Sequence, residues 1–236
     1  MSALRVMIDP GHGGRDPGAV AHGLVEKHVV LVYADALFAE LRRRGCQSAL
    51  TRAADVDLAP GEKWRTPGKG IDLNKRCEIA NGMTADAFVS LHCNAGRAAA
   101  NGAWVLHCKG SVQGEKLART IFDELERIPG ICDDDKPREV FSDASPATGY
   151  TDDALVMLRN KPPHMSEAEW LYKCELPHSK WYRTIRVLRG TKMPAVLIEL
   201  GFLTNVDDAR QLRLPETVAP VTSAIADALE AWWHGD

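Results

Sequence analysis

Residues 6–19, VMIDPGHGGRDPGA, join an apolar run to a glycine-rich turn that carries a single histidine. The apolar run at residues 6–8 predicts a buried β-strand that stops near Asp9. His12 follows, with one glycine before it and two after it. An imidazole at the end of a buried strand, with almost no side chains around it, is a candidate for binding a ligand.

The rest of the chain alternates between apolar strands and amphipathic helices. Strands are predicted at residues 46–52, 86–95, 102–108, 184–189 and 194–202. Helices are predicted at residues 26–44, 71–82 and 111–128, near 205–213 and at 215–233. Apolar strands that alternate with helices predict an α/β fold, in which a mainly parallel sheet has helices on both faces.

Residues 130–183 interrupt this alternation with five prolines, a short acidic run and the aromatic residues Trp170 and Trp181. Such a composition predicts an inserted segment with some helix, rather than a second domain with its own core. The two tryptophans either stack on sugar rings or pack the insertion against the rest of the protein. We therefore expect residues 1–236 to form a single domain.

The bulk composition excludes some classes of partner. The chain has 236 residues and a formal net charge of −3, and its basic residues are scattered, which gives no support for a nucleic-acid partner. No apolar run approaches the roughly 20 residues that cross a bilayer. Six dispersed cysteines and a strand pattern that begins at once favour synthesis in the cytoplasm without a signal peptide. Composition does not indicate the oligomeric state.

Four polar residues are predicted at the carboxyl ends of the strands, where α/β folds bind their ligands. They are His12, Glu26, His92 and Glu199. Two imidazoles and one carboxylate are a ligand set of catalytic zinc sites, and a second carboxylate can serve as the base. The glycines beside His12 would let the backbone turn sharply and keep the metal open to a bulky substrate.

Each of these residues also has an ordinary explanation. A histidine after a strand is often a hydrogen-bonded structural residue, and Glu26 could simply favour the helix dipole. A glycine-rich turn could cradle a phosphate, but the segment fits neither nucleotide-binding pattern, G-x-x-x-x-G-K-[ST] or G-x-G-x-x-G.

The order of the motifs decides between these explanations. They are IDPGHGGRDPGA, the glutamate at 26, TRAADVD, LNKRCEIAN, FVSLHCNA and VLRGTKMPAVLIELGFLTN. This series resembles the zinc-dependent N-acetylmuramoyl-L-alanine amidases of the amidase type 3 family, from about residue 4 to residue 232. The resemblance implies a twisted, mostly parallel sheet of about six strands. It also implies cleavage of the peptidoglycan amide between N-acetylmuramic acid and L-alanine.

Roles for single residues follow from the same resemblance. It implies that His12, Glu26 and His92 hold one Zn²⁺ per chain and that Glu199 is the catalytic carboxylate. Arg76 matches a family arginine and is a candidate for substrate binding, but a helix arginine can equally pair with a carboxylate at the sheet edge.

Three further residues leave alternatives open. Asn94 is predicted to share a strand face with His92, so it either lines the cleft or bonds a loop. His22 and His28 lie close to Glu26 in the sequence, but neither matches the ligand motif.

Two segments, 56–71 and 130–183, are longer than in the family pattern, so substrate details cannot be carried over there. With no signal segment and no wall-binding domain expected, we predict a phage endolysin that reaches peptidoglycan after holin-mediated release. Two alternatives stay open: another zinc peptidase or amidohydrolase that acts on wall peptides, and a non-catalytic wall-binding module of the same fold.

Overall fold

The computed structural model describes residues 3–61, 69–132, 140–142 and 185–235. The strands are β1 (Arg5–Pro10), β2 (Val20–Ala21), β3 (Leu24–Val25), β4 (Gln47–Leu50), β5 (Ala87–Asn94), β6 (Trp104–His107), β7 (Val140–Ser142) and β8 (Ala195–Phe202). The helices are α1 (Glu26–Arg43), α2 (Lys69–Met83), α3 (Val112–Leu125), α4 (Arg186–Gly190), α5 (Val206–Arg213) and α6 (Pro215–His234).

In the described part of the chain, the central sheet has six strands in the order β4-β1-β5-β8-β6-β7. The first four are mutually parallel, β6 runs antiparallel to β8, and β7 pairs in parallel with β6. The three strands β1, β5 and β8 are buried along most of their length, because both faces of the sheet are covered. The predicted α/β fold with a mostly parallel sheet is confirmed.

Successive residues of each central strand pack into opposite layers of core. Ile8 and Val89 lie in the larger layer with α1, α3 and α6, whereas Met7 and Phe88 lie in the smaller layer with α2 and α4. This alternation follows from the two-residue period of a strand. The sheet is therefore held from both sides, and its carboxyl edge is left open for a site.

The predicted strand at 184–189 is wrong, because residues 186–190 form the short helix α4. Val187 and Leu188 are buried there together with Cys77 of α2, in the smaller layer of core. A short apolar run has no periodicity that separates a strand from a buried helical turn, so the sequence allowed both. The sixth strand of the sheet is β7, which lies within the predicted insertion at 130–183.

The sequence pattern also missed a small hairpin that precedes α1. Strands β2 and β3 pair antiparallel around His22 and Gly23, whose φ angles are 47° and 74°. Positive φ at both central residues is typical of the type I′ turn, which joins such strands. Each strand has only two residues, too few to show a period.

Parts of the two long segments lie outside the described residues. These parts are 62–68 within the loop at 56–71, and 133–139 and 143–183 within the insertion, which include Trp170 and Trp181. Residue 184, the first of the predicted strand at 184–189, also lies outside the described residues. Among the helices that are described, none combines the length and the hydropathy that a bilayer crossing requires.

Candidate functional site

Four predicted residues meet at the carboxyl edge of the sheet. His12 follows β1 by two residues, Glu26 is the first residue of α1, and the two other residues lie in β5 and β8. His92 and Glu199 are register partners on these adjacent parallel strands. The topology therefore places them on one cleft, which all four residues line.

Glu26 lies between the two histidines. Its Oε1 atom is 2.9 Å from Nε2 of His12 and 3.0 Å from Nδ1 of His92. The two imidazole rings are edge to face, with their centroids 4.9 Å apart. One potential ligand atom from each of the three residues lies within 4.8 Å of the others. The three side chains thus converge on a volume that a metal ion could fill.

The Glu26 carboxylate is buried, with only 3% of the residue exposed, yet it stays ionised. Backbone N–H groups of Cys93 and Ala19 donate to its two oxygens, at 3.0 and 2.7 Å. Burial by itself would raise the pKa of Glu26, but the hydrogen bonds from His12 and His92 hold this pKa far below its usual range. A metal ligand needs this anionic form.

The histidines have opposite tendencies to take up a proton. Burial favours the neutral form of both and lowers the pKa of His92. Asp16 and Glu26 outweigh burial at His12 and raise its pKa to about 9. A positive charge is therefore stabilised beside Glu26. A divalent cation bound by the same nitrogen and oxygen atoms would provide this positive charge in place of the proton on His12. The donor set fits a metal.

Glycines allow the ligands to approach the backbone. A Cβ atom at Gly11 would lie 2.3 Å from Cε1 and Nε2 of His92, and one at Gly18 would lie 2.4 Å from Oε2 of Glu26. Both distances are far below van der Waals contact. The sequence predicted that the glycines let the backbone turn sharply and keep the metal accessible to a bulky substrate. The structure adds that glycines pack closely against two of the three candidate ligands.

Glu199 lines the same cleft. Its Oε2 atom is buried and unsatisfied among the described residues. Burial raises the pKa of Glu199 to about 8, and the negative charge of Glu26 contributes in the same direction. An unpaired carboxylate is costly in such surroundings and is typical of a functional site.

Arg76 and Asn94 are the two predicted substrate-binding residues. Arg76 is only 2% exposed and forms ion pairs with Asp9 and Asp72, both at 2.8 Å, so its contacts favour the structural alternative. Asn94 lines the cleft, and its Oδ1 also accepts from the backbone N–H of Ala95. A substrate contact stays a prediction for both residues.

Two histidines that the sequence offered as alternative ligands lie away from the convergent group. Nε2 of His22 is 3.3 Å from the carbonyl of Thr204, and Nε2 of the exposed His28 is 3.3 Å from Oδ2 of Asp55. Neither belongs to the potential metal-binding cluster found among the described residues.

Two further residues, neither of them predicted from the sequence, contact the His12 turn. Asp16 places Oδ2 3.0 Å from Nδ1 of His12, and Arg52 is buried against the backbone of the turn. Asp16 lies four residues after His12 in the opening segment, and this spacing was an available signal. Arg52 is 40 residues away from the histidine, and only the tertiary structure brings it there.

A sequence profile of the N-acetylmuramoyl-L-alanine amidases, Amidase_3, matches residues 6–231. The chain belongs to this family. The germination-specific N-acetylmuramoyl-L-alanine amidase of Bacillus subtilis is 29% identical to it over 227 residues, which are 95% of this chain and 78% of that protein.

Solved structures agree with the family assignment. The CwlD amidase of Clostridioides difficile, solved in complex with the GerS lipoprotein, gives a TM-score of 0.74 at 25% identity, over 99% of this chain and 100% of that one. The amidase AmiC2 of Nostoc punctiforme gives 0.67 at 29% identity, over 98% and 97%. The predicted enzyme class, an N-acetylmuramoyl-L-alanine amidase, is confirmed.

Substitution of Gly11 tests the close packing in the site. We expect Gly11→Ala to lower the free energy of unfolding by about 1–3 kcal/mol, because the new methyl group overlaps the half-buried His92 ring. Gly82→Ala in α2 is the control, since no atom lies within 4 Å of its Cβ position, and it should be neutral or stabilising. Equal stability of the Gly11 variant and wild type, measured by denaturant unfolding, would contradict this packing.

Proposed function

We propose that the chain is a zinc-dependent peptidoglycan hydrolase that cleaves the amide between N-acetylmuramic acid and the L-alanine of the stem peptide. The observation that carries this proposal is the convergence of His12, Glu26 and His92 beside Glu199, whose Oε2 atom has no hydrogen-bond partner in the described part of the chain. Membership of the amidase family supplies the reaction class.

The chemistry of the donor atoms favours zinc. Two imidazole nitrogens and one carboxylate suit Zn²⁺, whereas Mg²⁺ and Ca²⁺ prefer shells of oxygen atoms. Three protein ligands are also the usual number in a catalytic zinc site. Zinc in such a site supplies Lewis acidity, which polarises a carbonyl group and acidifies water.

Glu199 is suited to move the proton in this reaction. Its buried Oε2 atom has no competing hydrogen bond among the described residues, so it can accept a proton from the attacking water. The same carboxyl group can then return the proton to the departing alanine nitrogen. A pKa of about 8 reflects burial next to Glu26, and a positive charge among the neighbouring ligands would favour the carboxylate form that a base needs.

The cleft has room for a branched polymer substrate. Its volume is about 930 Å³, and residues of α2 and α4 form part of its wall. Asn74 and Arg186 lie on this wall and are joined by a 2.6 Å hydrogen bond. This volume is at the upper end of the range for small-molecule sites and can hold a sugar with an attached peptide.

The two alternatives from the sequence have less support. A non-catalytic wall-binding module has no need for an unpaired buried carboxylate, which costs stability unless it has a use. Another zinc peptidase that acts on wall peptides would use the same ligands, but the family assignment favours the muramoyl amide.

The biological role is a separate question from the chemistry. Lysis of a host by a phage endolysin after holin-mediated release stays a prediction. One relative is named as germination-specific, which is a role other than the lysis of a host.

The first experiment measures bound metal. We expect the purified protein to carry about one zinc per chain, and His12→Ala and His92→Ala to lose it, because each removes one of three ligands. His28→Ala serves as the control, since His28 lies outside the cluster. Full zinc occupancy in the His12 variant, measured by elemental analysis, would show that the ligand assignment is wrong.

The second experiment isolates the role of Glu199. Glu199→Gln preserves shape and removes the proton acceptor, so we expect zinc and fold to be kept while peptide release from purified walls falls roughly 100- to 10,000-fold. Glu126→Gln, an exposed change at the end of α3, should leave the rate unaltered. A Glu199→Gln protein that digests walls at nearly the wild-type rate, or that only melts earlier, would refute the role as base.

A further inference from the structure

Two buried arginines hold the backbone of the turn that carries His12. Arg52 donates from Nε to the carbonyl of Pro10 at 2.9 Å and from Nη2 to that of Gly11 at 2.7 Å. Arg76 donates from Nη1 to the carbonyl of Pro10 at 2.8 Å and from Nη2 to that of His12 at 2.6 Å. Three consecutive carbonyl groups are thus fixed by two side chains that are 3% and 2% exposed.

His12 needs such support because its backbone is strained. Its φ angle is +60°, in the left-handed region that residues other than glycine seldom adopt. Such a conformation is strained and persists only where the surroundings impose it. The backbones of Gly13 and Asp16 close the turn with two hydrogen bonds of 3.0 Å, and Arg76 fixes the His12 carbonyl.

Arg52 also joins this turn to the segment that carries Glu26. Its Nη2 atom donates to the carbonyl of Lys27 at 3.1 Å as well as to that of Gly11. All of its hydrogen bonds to described residues go to backbone carbonyls. One guanidinium group therefore sets the distance between the chain next to His12 and the chain next to Glu26.

Arg76 makes the corresponding link to the strand of His92. It pairs with Oδ1 of Asp9 at 2.8 Å, and Oδ2 of Asp9 accepts from Ser90 Oγ at 2.8 Å. Ser90 precedes His92 by two residues in β5. The two arginines thus connect the backbones of all three ligand-bearing segments, although neither belongs to the convergent group.

We propose that Arg52 and Arg76 are positioning residues of the metal centre, which set the placement of His12 relative to Glu26 and His92 and thereby the affinity for zinc. The inference rests on the proposed function, in that these three residues hold the metal. A planar guanidinium reaches several carbonyl oxygens in fixed directions, whereas a lysine ammonium is a point charge on a flexible stem. Lysine at either position keeps the positive charge but cannot link the same set of backbone carbonyl groups.

The test compares Arg52→Lys and Arg76→Lys with wild type for Zn²⁺ affinity, by chelator competition, and for the visible spectrum of the Co²⁺-loaded protein. We expect Zn²⁺ binding to weaken roughly 10- to 100-fold, the usual effect of losing support for a metal ligand, and the Co²⁺ spectrum to change. All measurements use a temperature at which denaturant unfolding shows each variant to be folded.

Arg44→Lys is the matched control for stability. Arg44 bridges Glu40, Asp227 and Glu230 at the far end of α1, so its loss should reduce stability and leave Zn²⁺ affinity within about twofold of wild type.

If a lysine variant does not fold, Ser90→Ala removes a single bond from Asp9, and Ser48→Ala in β4 is its control. Ser90→Ala should then weaken Zn²⁺ binding by at least about twofold relative to Ser48→Ala.

The outcomes separate this inference from the proposed function. Wild-type protein that binds no Zn²⁺ would overturn the proposed metal chemistry, and this inference with it. Wild-type protein that binds Zn²⁺, with folded arginine or Ser90 variants that bind it equally tightly and give the same Co²⁺ spectrum, would overturn the positioning role alone.

Discussion

The buried negative charge of Glu26 is the constraint on which the site depends. A carboxylate that is 3% exposed is tolerated only if donors surround it, and here two backbone N–H groups and two imidazoles do so. Its position at the start of α1 adds the favourable end of the helix dipole. His12 and His92 satisfy this one charge together with the two N–H groups, and Gly18 leaves room for the carboxylate.

The fold supplies these donors from elements that are distant in sequence. Strand β1 delivers the His12 turn, β5 delivers His92 and the N–H of Cys93, and α1 delivers the carboxylate itself. Parallel strands end at the same edge, so the three segments meet without long loops of their own. The strained backbone at His12 is held by a hydrogen bond from the buried Arg76, so the core of the fold supports the turn that carries this candidate ligand.

The sequence was sufficient for the parts of the structure that repeat a strong local pattern. The strands that contain residues 6–8 and 195–198 are apolar runs, and His92 and Glu199 follow from where the runs end and from the family motifs. Residues 184–189 failed as a predicted strand because α4 has the same apolar spacing over one turn. The pattern of apolar residues within a short segment does not indicate which elements that segment packs against.

Interactions between distant residues explain the remaining misses. Arg52 is a polar residue after a strand, and nothing in its neighbourhood indicates that it bonds the carbonyls of Pro10 and Gly11. For Arg76 the alternative of an ion pair with a carboxylate at the sheet edge agrees with its contact to Asp9, but nothing in the sequence indicated its bonds to the carbonyls of Pro10 and His12. Partners more than 40 residues away become visible only when the sheet order is known.

Mass spectrometry of the products released from purified peptidoglycan tests the central claim most directly. Hydrolysis of the muramoyl amide adds one water and gives stem peptides with a free L-alanine amino group, together with glycan strands that keep the lactyl carboxylic acid. The account predicts these two products and no others. Peptides cut within the stem, or disaccharides that still carry their peptide, would contradict it.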